Sequence, residues 1–202
     1  MMKPRLTTSK RAYTLVELIV VVAVLGLSGT LLVPNLVDRS TFAIQAASRS
    51  VISDLIFAQS DALANQEYRR LQFIKNEDDV SGSEYVGYCI MRVTPEDFSF
   101  PYDSGTADHI LDPMSNSDVD GRYIVDFSKD GRFGDVRITS VSIDSGMDYI
   151  TFDEFGGSVS SSGGAPGTGG EIELEGGDGH RYLVTIAPFT GKTTVEVLES
   201  GS

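Results

Sequence analysis

Near its start the chain carries one uninterrupted apolar stretch, residues 15–33, in which Glu17 is the only charged residue. At about 1.5 Å of rise per residue, a helix of this length is long enough to cross the hydrocarbon core of a membrane. Four basic residues and no acidic residue come before Glu17. We therefore predict a membrane helix over residues 13–33, with the basic segment 1–12 on the cytoplasmic side and the following chain exported.

A different pattern follows, in which apolar residues recur at steps of three and four from Ile44 to Leu63. Most polar and charged residues of this region, including Asp54, fall off that stripe. The spacing is typical of an amphipathic helix whose apolar face packs on a partner. We assign this helix to residues 34–66 and expect Pro34 to bend or loosen it without ending it.

Beyond residue 66 the pattern changes to short segments rich in β-branched and aromatic residues, several of which alternate between apolar and polar. We predict strands at residues 68–75, 84–93, 122–127, 136–143, 149–152, 171–174, 182–187 and 193–198. Between them, residues 95–120 are predicted as a long acidic loop and residues 156–170 as a flexible Gly/Ser connection. The predicted fold class is α+β, with a long N-terminal helix laid against a mostly antiparallel sheet in a β-rich domain, residues 67–202.

The net negative charge of the chain argues against some classes of binding partner. The formal net charge is −13, and without residues 1–12 the chain would carry 12 basic against 29 acidic residues, a net charge of −17. A domain this acidic repels nucleic acid and anionic lipid surfaces, so no nucleic-acid partner is expected. Cys89 is the only cysteine, which excludes an internal disulfide, and we predict that it is a small buried residue.

The apolar stretch begins within a distinctive motif, Ala-Tyr-Thr-Leu-Val-Glu at residues 12–17. A carboxylate inside a membrane helix costs about 2.5 to 3.5 kcal/mol on insertion scales, which makes Glu17 a candidate functional residue. The motif resembles the prepilin processing site, in which glycine, an aromatic residue, Thr, Leu, an aliphatic residue and Glu follow one another. Ala12 stands where glycine is usual in that site.

The resemblance implies a role for each of these residues. A membrane-embedded prepilin peptidase would cut between Ala12 and Tyr13 and methylate the new amino terminus of Tyr13. Glu17 would then follow the new ammonium group by four residues, so that the two charges can pair within one helix or between packed subunits. Such pairing offsets the cost of a carboxylate in lipid, and Glu17 is therefore predicted to set the register of a subunit in a filament.

Later segments point to one branch of this family. Residues 55–62, residues 150–156 and the strands around Phe189-Thr190-Gly191-Lys192 resemble the H-type minor pseudopilins of type II secretion, which are grouped with the FimT-like minor pilins. The resemblance implies a structural subunit for protein secretion, single-pass in the bacterial inner membrane, with a periplasmic domain and assembled into a periplasmic pseudopilus. Its implied partners are other pilin subunits, the prepilin peptidase, an inner-membrane assembly platform and membrane lipid, with no cofactor.

Other interpretations remain open. A minor type IV pilin, acting in pilus biogenesis or DNA uptake, would carry the same processing motif. A membrane-anchored binding domain that never polymerises would keep its leader. A secretory signal peptide cut near Gly26-Leu27-Ser28 is less favoured, because the apolar run continues past that cut and Glu17 has no role in it.

Two segments resemble binding loops only in part. Thr190-Gly191-Lys192 suggests a phosphate loop, but the required earlier glycine is replaced by Ile186, so we predict a hairpin turn. Asp126 and Asp130 alternate with other oxygen-bearing residues as in a calcium loop, yet Arg137 stands where that loop ends in an acid. We favour an Asp-Gly turn over a metal site there.

The chain shows no spacing typical of catalysis. His109 and His180 are the only histidines, and both stand in polar contexts predicted as loops. Neither falls in a pattern with a serine or cysteine nucleophile, and scattered acids do not form an acid/base pair. We therefore predict that the protein is not an enzyme.

Overall fold

The structure is a computed structural model that describes residues 14–32, 39–76, 84–113 and 121–198. The chain divides into two compact units, residues 1–38 and residues 39–202. Ala12, Tyr13 and Pro34, for which the sequence predicts processing and a helix bend, lie outside the described residues.

Helix α1, Leu15–Leu32, belongs to the first unit. Its large apolar side chains between Leu15 and Leu27 are each 51–75 % exposed, so the helix presents an apolar surface on all sides. In the part of the chain that the structure describes, no helix has both the length and the apolar character needed to cross a membrane.

Helix α2, Arg39–Asn65, opens the second unit. The predicted apolar stripe supplies its buried face, formed by Ile44, Ala47, Val51, Leu55, Ala58 and Ala62. Leu63, the last residue of the predicted stripe, is instead 57 % exposed. The helix ends where Gln66 takes a left-handed conformation with φ 55° and the N–H of Glu67 bonds back to the carbonyl of Ala62 at 3.2 Å. This arrangement is a Schellman-type C-cap, which satisfies a carbonyl at the end of the helix.

The rest of the second unit is an antiparallel sheet, which confirms the α+β class predicted from the sequence. Its strands are β1 Arg69–Lys75, β2 Tyr85–Arg92, β3 Asp108–His109, β4 Ile124–Asp126, β5 Arg137–Ile143, β6 Tyr149–Phe152, β7 Ser158–Val159, β8 Gly170–Glu175, β9 Arg181–Ile186 and β10 Thr193–Leu198. They follow the order β10-β9-β8-β5-β2-β1-β6-β7, and β3 and β4 also pair with β2.

Helix α2 covers one face of this sheet, and the main core lies between them. Leu71 of β1 pairs with Ile90 of β2 on one side and Ile150 of β6 on the other, and all three are fully buried. Ile172 and Val184 continue the same apolar face onto β8 and β9. Each fully buried side chain of this size contributes about 1.5–3 kcal/mol to folding, so this face holds the domain together.

Two short strands correct the sequence analysis. β3 lies within the predicted loop 95–120, and β7 lies within the predicted connection 156–170. His109 is accordingly a half-buried strand residue that pairs with Met91 of β2, and not a loop residue as predicted. Strands of two residues are too short to show alternation, so only their pairing to longer strands reveals them.

Candidate functional site

The start of α1 is fixed by Thr14. Its Oγ1 accepts a hydrogen bond from the N–H of Glu17 at 3.2 Å, and its carbonyl accepts the first helical bond from the N–H of Leu18 at 3.2 Å. Thr14 is therefore the N-cap of the helix, and Glu17 is the third residue of its first turn. A Thr followed three residues later by Glu is the sequence pattern of a capping box.

Glu17 is the predicted site residue that falls within the described part of the chain. Its side chain is exposed and lies in the first turn of α1, where a negative charge stabilises a helix by about 0.3–1 kcal/mol. The cap uses the backbone N–H of Glu17 and leaves its carboxylate out of that hydrogen bond. The arrangement is a single carboxylate at the end of an otherwise apolar helix.

In the second unit, Asp54 is a buried carboxylate with a donor on each oxygen. Tyr88 of β2 donates its hydroxyl to Oδ2 at 2.6 Å, and Tyr123 donates to Oδ1 at 2.8 Å. The hydroxyl of Ser50, one turn earlier on α2, lies 3.2 Å from that of Tyr88. Phe57 stacks on Tyr123 with 5.2 Å between the ring centroids. These contacts join α2 to β2 and to the residue that precedes β4 through one polar group.

The electrostatics of this cluster favour hydrogen bonding over proton transfer. Burial raises the pKa of the Asp54 carboxyl, while the hydrogen bonds from Tyr88 and Tyr123 act in the opposite direction. Burial and the nearby carboxylate also raise the pKa values of both tyrosines, so the tyrosines stay protonated and act as donors. Because both carboxylate oxygens are occupied, Asp54 is suited to holding α2 on the sheet.

A groove of about 740 Å³ runs beside Asp54, between α2 and residues 123–133. Charged residues of both signs line it, namely Arg49, Asp54, Asp112, Asp126, Lys129, Asp130 and Arg132. Neither histidine nor cysteine is among the lining residues. Arg132 forms a two-point contact with Asp130, with its Nε and Nη2 at 2.8 Å and 2.5 Å from Oδ2 and Nε also 3.0 Å from Oδ1.

The segment considered as a calcium loop is a turn held by its own side chains. Asp126 Oδ1 accepts hydrogen bonds from the backbone N–H and the hydroxyl of Ser128, at 2.9 Å and 2.5 Å. Lys129 Nζ lies 3.1 Å from the other oxygen of Asp126, and Asp130 is paired with Arg132. Across residues 14–32, 39–76, 84–113 and 121–198, no group of three or more His, Cys, Asp or Glu is placed to hold a metal ion.

Two neighbouring arginines of β1 anchor opposite faces of the sheet. Arg69 points to the α2 face, where it pairs with Asp61 of the helix and contacts Glu67 at 3.0 Å. Arg70, fully buried, lies on the other face with its guanidinium carbon 3.8 Å from the centroid of the Tyr149 ring. It donates to the carbonyl of Phe98 at 2.6 Å. A desolvated cation over an aromatic ring is stabilised by about 2 kcal/mol. The guanidinium carbon of Arg70 also lies 5.0 Å from the centroid of the Phe98 ring, and the contacts with Phe98 fasten the segment after β2 to the sheet.

Cys89 is buried, as the sequence predicts, and it lies on the face of the sheet that carries Arg70. Burial raises the pKa of its thiol to about 12, so the reactive thiolate is scarce at neutral pH. Tyr102 lies beside the thiol, and its hydroxyl is 3.3 Å from Nε2 of His109. Burial lowers the pKa of His109, and its Nδ1 lies 2.9 Å from the carbonyl of Ala107. These three side chains pack the segment 102–109 against β2.

The Thr190-Gly191-Lys192 segment forms the turn between β9 and β10, which confirms the predicted hairpin. Gln59 of α2 donates to the carbonyl of Thr190 at 2.9 Å and to that of Gly156 at 2.6 Å. Gly191 has φ +63°, and a Cβ there would lie 2.6 Å from the ring of Phe152. The turn is therefore fixed to both the helix and the core.

Sequence reasoning missed the roles of Asp54 and Arg70. Asp54 follows Val51 by three residues and Ser50 by four, which places it at the flank of the apolar stripe. This position beside the buried face was the signal in the sequence that could have revealed its role. Arg70 offers no comparable signal. It adjoins Arg69 in a strand covered on both faces, and its burial depends on aromatic residues distant in sequence.

Comparison with known proteins yields no match, whether with family models, curated proteins or solved structures. The described residues present two features that bear on function: the capped apolar helix α1 with Glu17, and a sheet domain carrying α2 on one face.

Proposed function

We propose that this chain is a pilin-like structural subunit, a minor pseudopilin of a type II secretion pseudopilus. It is inserted in the bacterial inner membrane, cut between Ala12 and Tyr13, methylated at Tyr13 and built into a periplasmic filament. Its partners are neighbouring pilin subunits, the prepilin peptidase, the assembly platform and membrane lipid. Its work is mechanical, and it needs neither a cofactor nor a nucleotide of its own.

The observation that carries this proposal is the surface of α1. Ten large apolar side chains from Leu15 to Leu27 are more than half exposed, and they surround the helix. A helix that is apolar on all sides is stable only in apolar surroundings, either lipid or a bundle of other helices. A filament core made of equivalent helices supplies such surroundings for every subunit.

The position of Glu17 supports the same proposal. A carboxylate in an apolar bundle is costly unless it meets an opposite charge. Cleavage before Tyr13 would create an ammonium group one helical turn from Glu17, within the same stretch of chain. Thr14 places Glu17 in the first turn of α1, so the carboxylate and the new amino terminus would lie at the same end of the helix.

The mature amino terminus tests the proposal. The full chain is expressed in a bacterium that has a prepilin peptidase, and the purified protein is analysed by mass spectrometry. We expect a chain that begins at N-methylated Tyr13. A chain that retains Lys3 to Arg11, or one that begins after Ser28, would contradict the proposal.

Substitutions at Ala12 provide matched controls for this measurement. Ala12→Gly restores the usual residue of the processing motif and should preserve or speed the cut. Ala12→Leu puts a bulky side chain next to the scissile bond and should leave most of the protein uncut. Equal processing of both variants would show that the cut does not depend on this motif.

A further inference from the structure

Strand β10 leaves one edge of the sheet open. Within the described ranges it pairs with β9 alone, over six residues and in an unbroken register. The strand contains no proline and no basic residue, and Glu196 is its one charged residue, so it carries little of what commonly protects an edge. The opposite edge, β7, has only two residues, both buried, and Val159 forms a further bridge with Pro166.

The pairing with β9 shows which backbone groups of β10 face outward. The N–H of Ala187 donates to the carbonyl of Lys192 at 2.8 Å, so these two residues form a hydrogen-bonded pair. Such pairs alternate along an antiparallel ladder, and Thr194 and Glu196 therefore also bond to β9. It follows that Thr193, Val195 and Val197 direct their N–H and C=O groups away from the sheet.

The side chains of β10 extend the apolar face of the sheet beyond the helix. Val195 pairs with Val184, which is fully buried in the core under α2, so the two side chains share one face. Val195 is nevertheless 38 % exposed, and Val197 on the same face is 60 % exposed. The open edge thus combines outward backbone groups with uncovered apolar side chains.

We propose that β10 is an interaction surface for a second copy of this chain, which pairs with it antiparallel about a two-fold axis. In this pairing Val195 lies opposite Val195 of the second copy, and Thr193 lies opposite Val197. The outward residues of both strands then bond to one another along the whole strand. The same patch serves both partners, as in an isologous interface.

Charge and strand length select this register among those that the backbone allows. Residues whose backbone groups point outward must lie opposite one another for the two strands to bond. The other allowed registers are therefore shifted from the proposed one by two residues at a time. One step in one direction places Glu196 opposite Glu196, where like charges repel. One step in the other direction leaves Val197 outside the paired strand.

The proposed pairing stands on the sheet alone and does not depend on the function proposed above. Two six-residue strands make a small interface, so the dimer should be weak. The fraction of chains in the dimer should rise with protein concentration. Disulfide trapping suits such a dimer, because opposed residues in an antiparallel pair lie within the Cα distance that a disulfide spans. The native Cys89 is buried, and the unsubstituted chain serves as its control.

Cysteine scanning of β10 in the full chain, purified in detergent, tests the pairing. Mild oxidation is followed by electrophoresis without reductant. We expect Val195→Cys to give several-fold more covalent dimer than Thr193→Cys or Val197→Cys alone. A mixture of the Thr193→Cys and Val197→Cys chains should regain the dimer, because these positions lie opposite each other. No excess dimer for Val195→Cys, or equal dimer for the three single variants, would overturn the proposal.

A proline variant gives a second test. Val195→Pro removes an N–H that points away from β9, so the pairing within the chain survives while the pairing between chains is lost. Val195→Thr keeps that N–H and serves as the matched control. In the mixed Thr193→Cys and Val197→Cys experiment, we expect Pro at 195 to abolish the covalent dimer and Thr to retain it. Equal dimer with Pro and Thr, in variants that melt at similar temperatures, would also overturn the proposal.

Discussion

At the scale of single residues, Asp54 links the apolar core to the polar groove beside it. Its carboxylate is buried, and hydroxyl groups of Tyr88 and Tyr123 bond to its two oxygens. Because burial raises the pKa of this carboxyl above that in an unfolded chain, the ionised form weakens folding relative to the protonated form. The stability contributed by protonated Asp54 is present below the unfolded pKa and is lost as the pH rises through the folded pKa.

The Asp54→Asn variant tests this pH dependence. The amide keeps a polar group between the tyrosines but does not ionise. We expect the free energy of unfolding of the parent, relative to the variant, to decrease as the pH rises from about 3 to neutrality, by about 1.4 kcal/mol for each unit of pKa shift. Urea unfolding at several pH values measures this difference. A difference that is constant or grows with pH would contradict it.

Asp130→Asn is the matched control for that experiment. The contact with Arg132 lowers the pKa of Asp130, so its contribution to stability is present above the unfolded pKa and is lost as the pH falls. The parent should therefore gain stability relative to Asp130→Asn as the pH rises through the acid range. The two aspartates are expected to show opposite signs in the same set of measurements.

Glu17 carries the residue-scale prediction for assembly. Glu17→Val makes α1 more apolar, so membrane insertion should be equal or better, and cleavage four residues away should persist. Loss of one member of a buried charge pair costs about 3–5 kcal/mol, which corresponds to more than about a hundredfold drop in incorporation into filaments. Filament isolation or cross-linking in cells with the normal partner subunits measures this drop. Glu17→Asp, which keeps the charge, is the control, and incorporation of Glu17→Val at the parent's level would contradict the mechanism.

At the scale of elements, regular periodicity decided what the sequence could predict. The apolar stripe from Ile44 to Ala62 predicted the buried face of α2, and alternating segments predicted the eight longer strand regions. β3 and β7 were missed because two residues carry no period. The motif at residues 12–17 contains Thr-x-x-Glu, which is a sequence pattern for the start of a helix as well as part of the processing motif. The cap of α1 at Thr14 follows that pattern.

The candidate site was less predictable than the elements. Glu17 stood out because a lone acid interrupts an apolar run, which is a local signal. The contacts of Asp54 with Tyr123, 69 positions away in sequence, and of Arg70 with Thr151, 81 positions away, depend on how strands are ordered in the sheet. That order is set by long-range pairing, which no local pattern records.

At the scale of the whole molecule, the second unit contains the entire described core. Every buried core residue, from Ile44 to Ile186, lies in residues 39–202. We therefore expect a fragment of residues 39–202 to fold as a soluble acidic domain with mixed helix and strand by circular dichroism. It should unfold cooperatively on heating, because the fragment contains the complete described core. A disordered fragment would contradict this expectation.

A shorter fragment is the matched control. Residues 67–202 keep all the strands that the structure describes but lack α2, whose stripe fills the core face of the sheet. Loss of Ile44, Val51 and Leu55 alone exposes apolar surface worth several kcal/mol, comparable with the total stability of a small domain. This fragment should fail to fold or should aggregate. Cooperative unfolding of residues 67–202 would mean that α2 is not part of the domain core.

The cap at Thr14 determines what cleavage of the chain would change at the start of α1. Its acceptor, the Thr14 side chain, and its donor, the Glu17 N–H, both lie after the bond between Ala12 and Tyr13. Trimming the chain at that bond therefore removes no atom of the cap. Precursor and mature protein would begin α1 at the same residue, so maturation would change the charge at the end of the helix while leaving the helix itself in place.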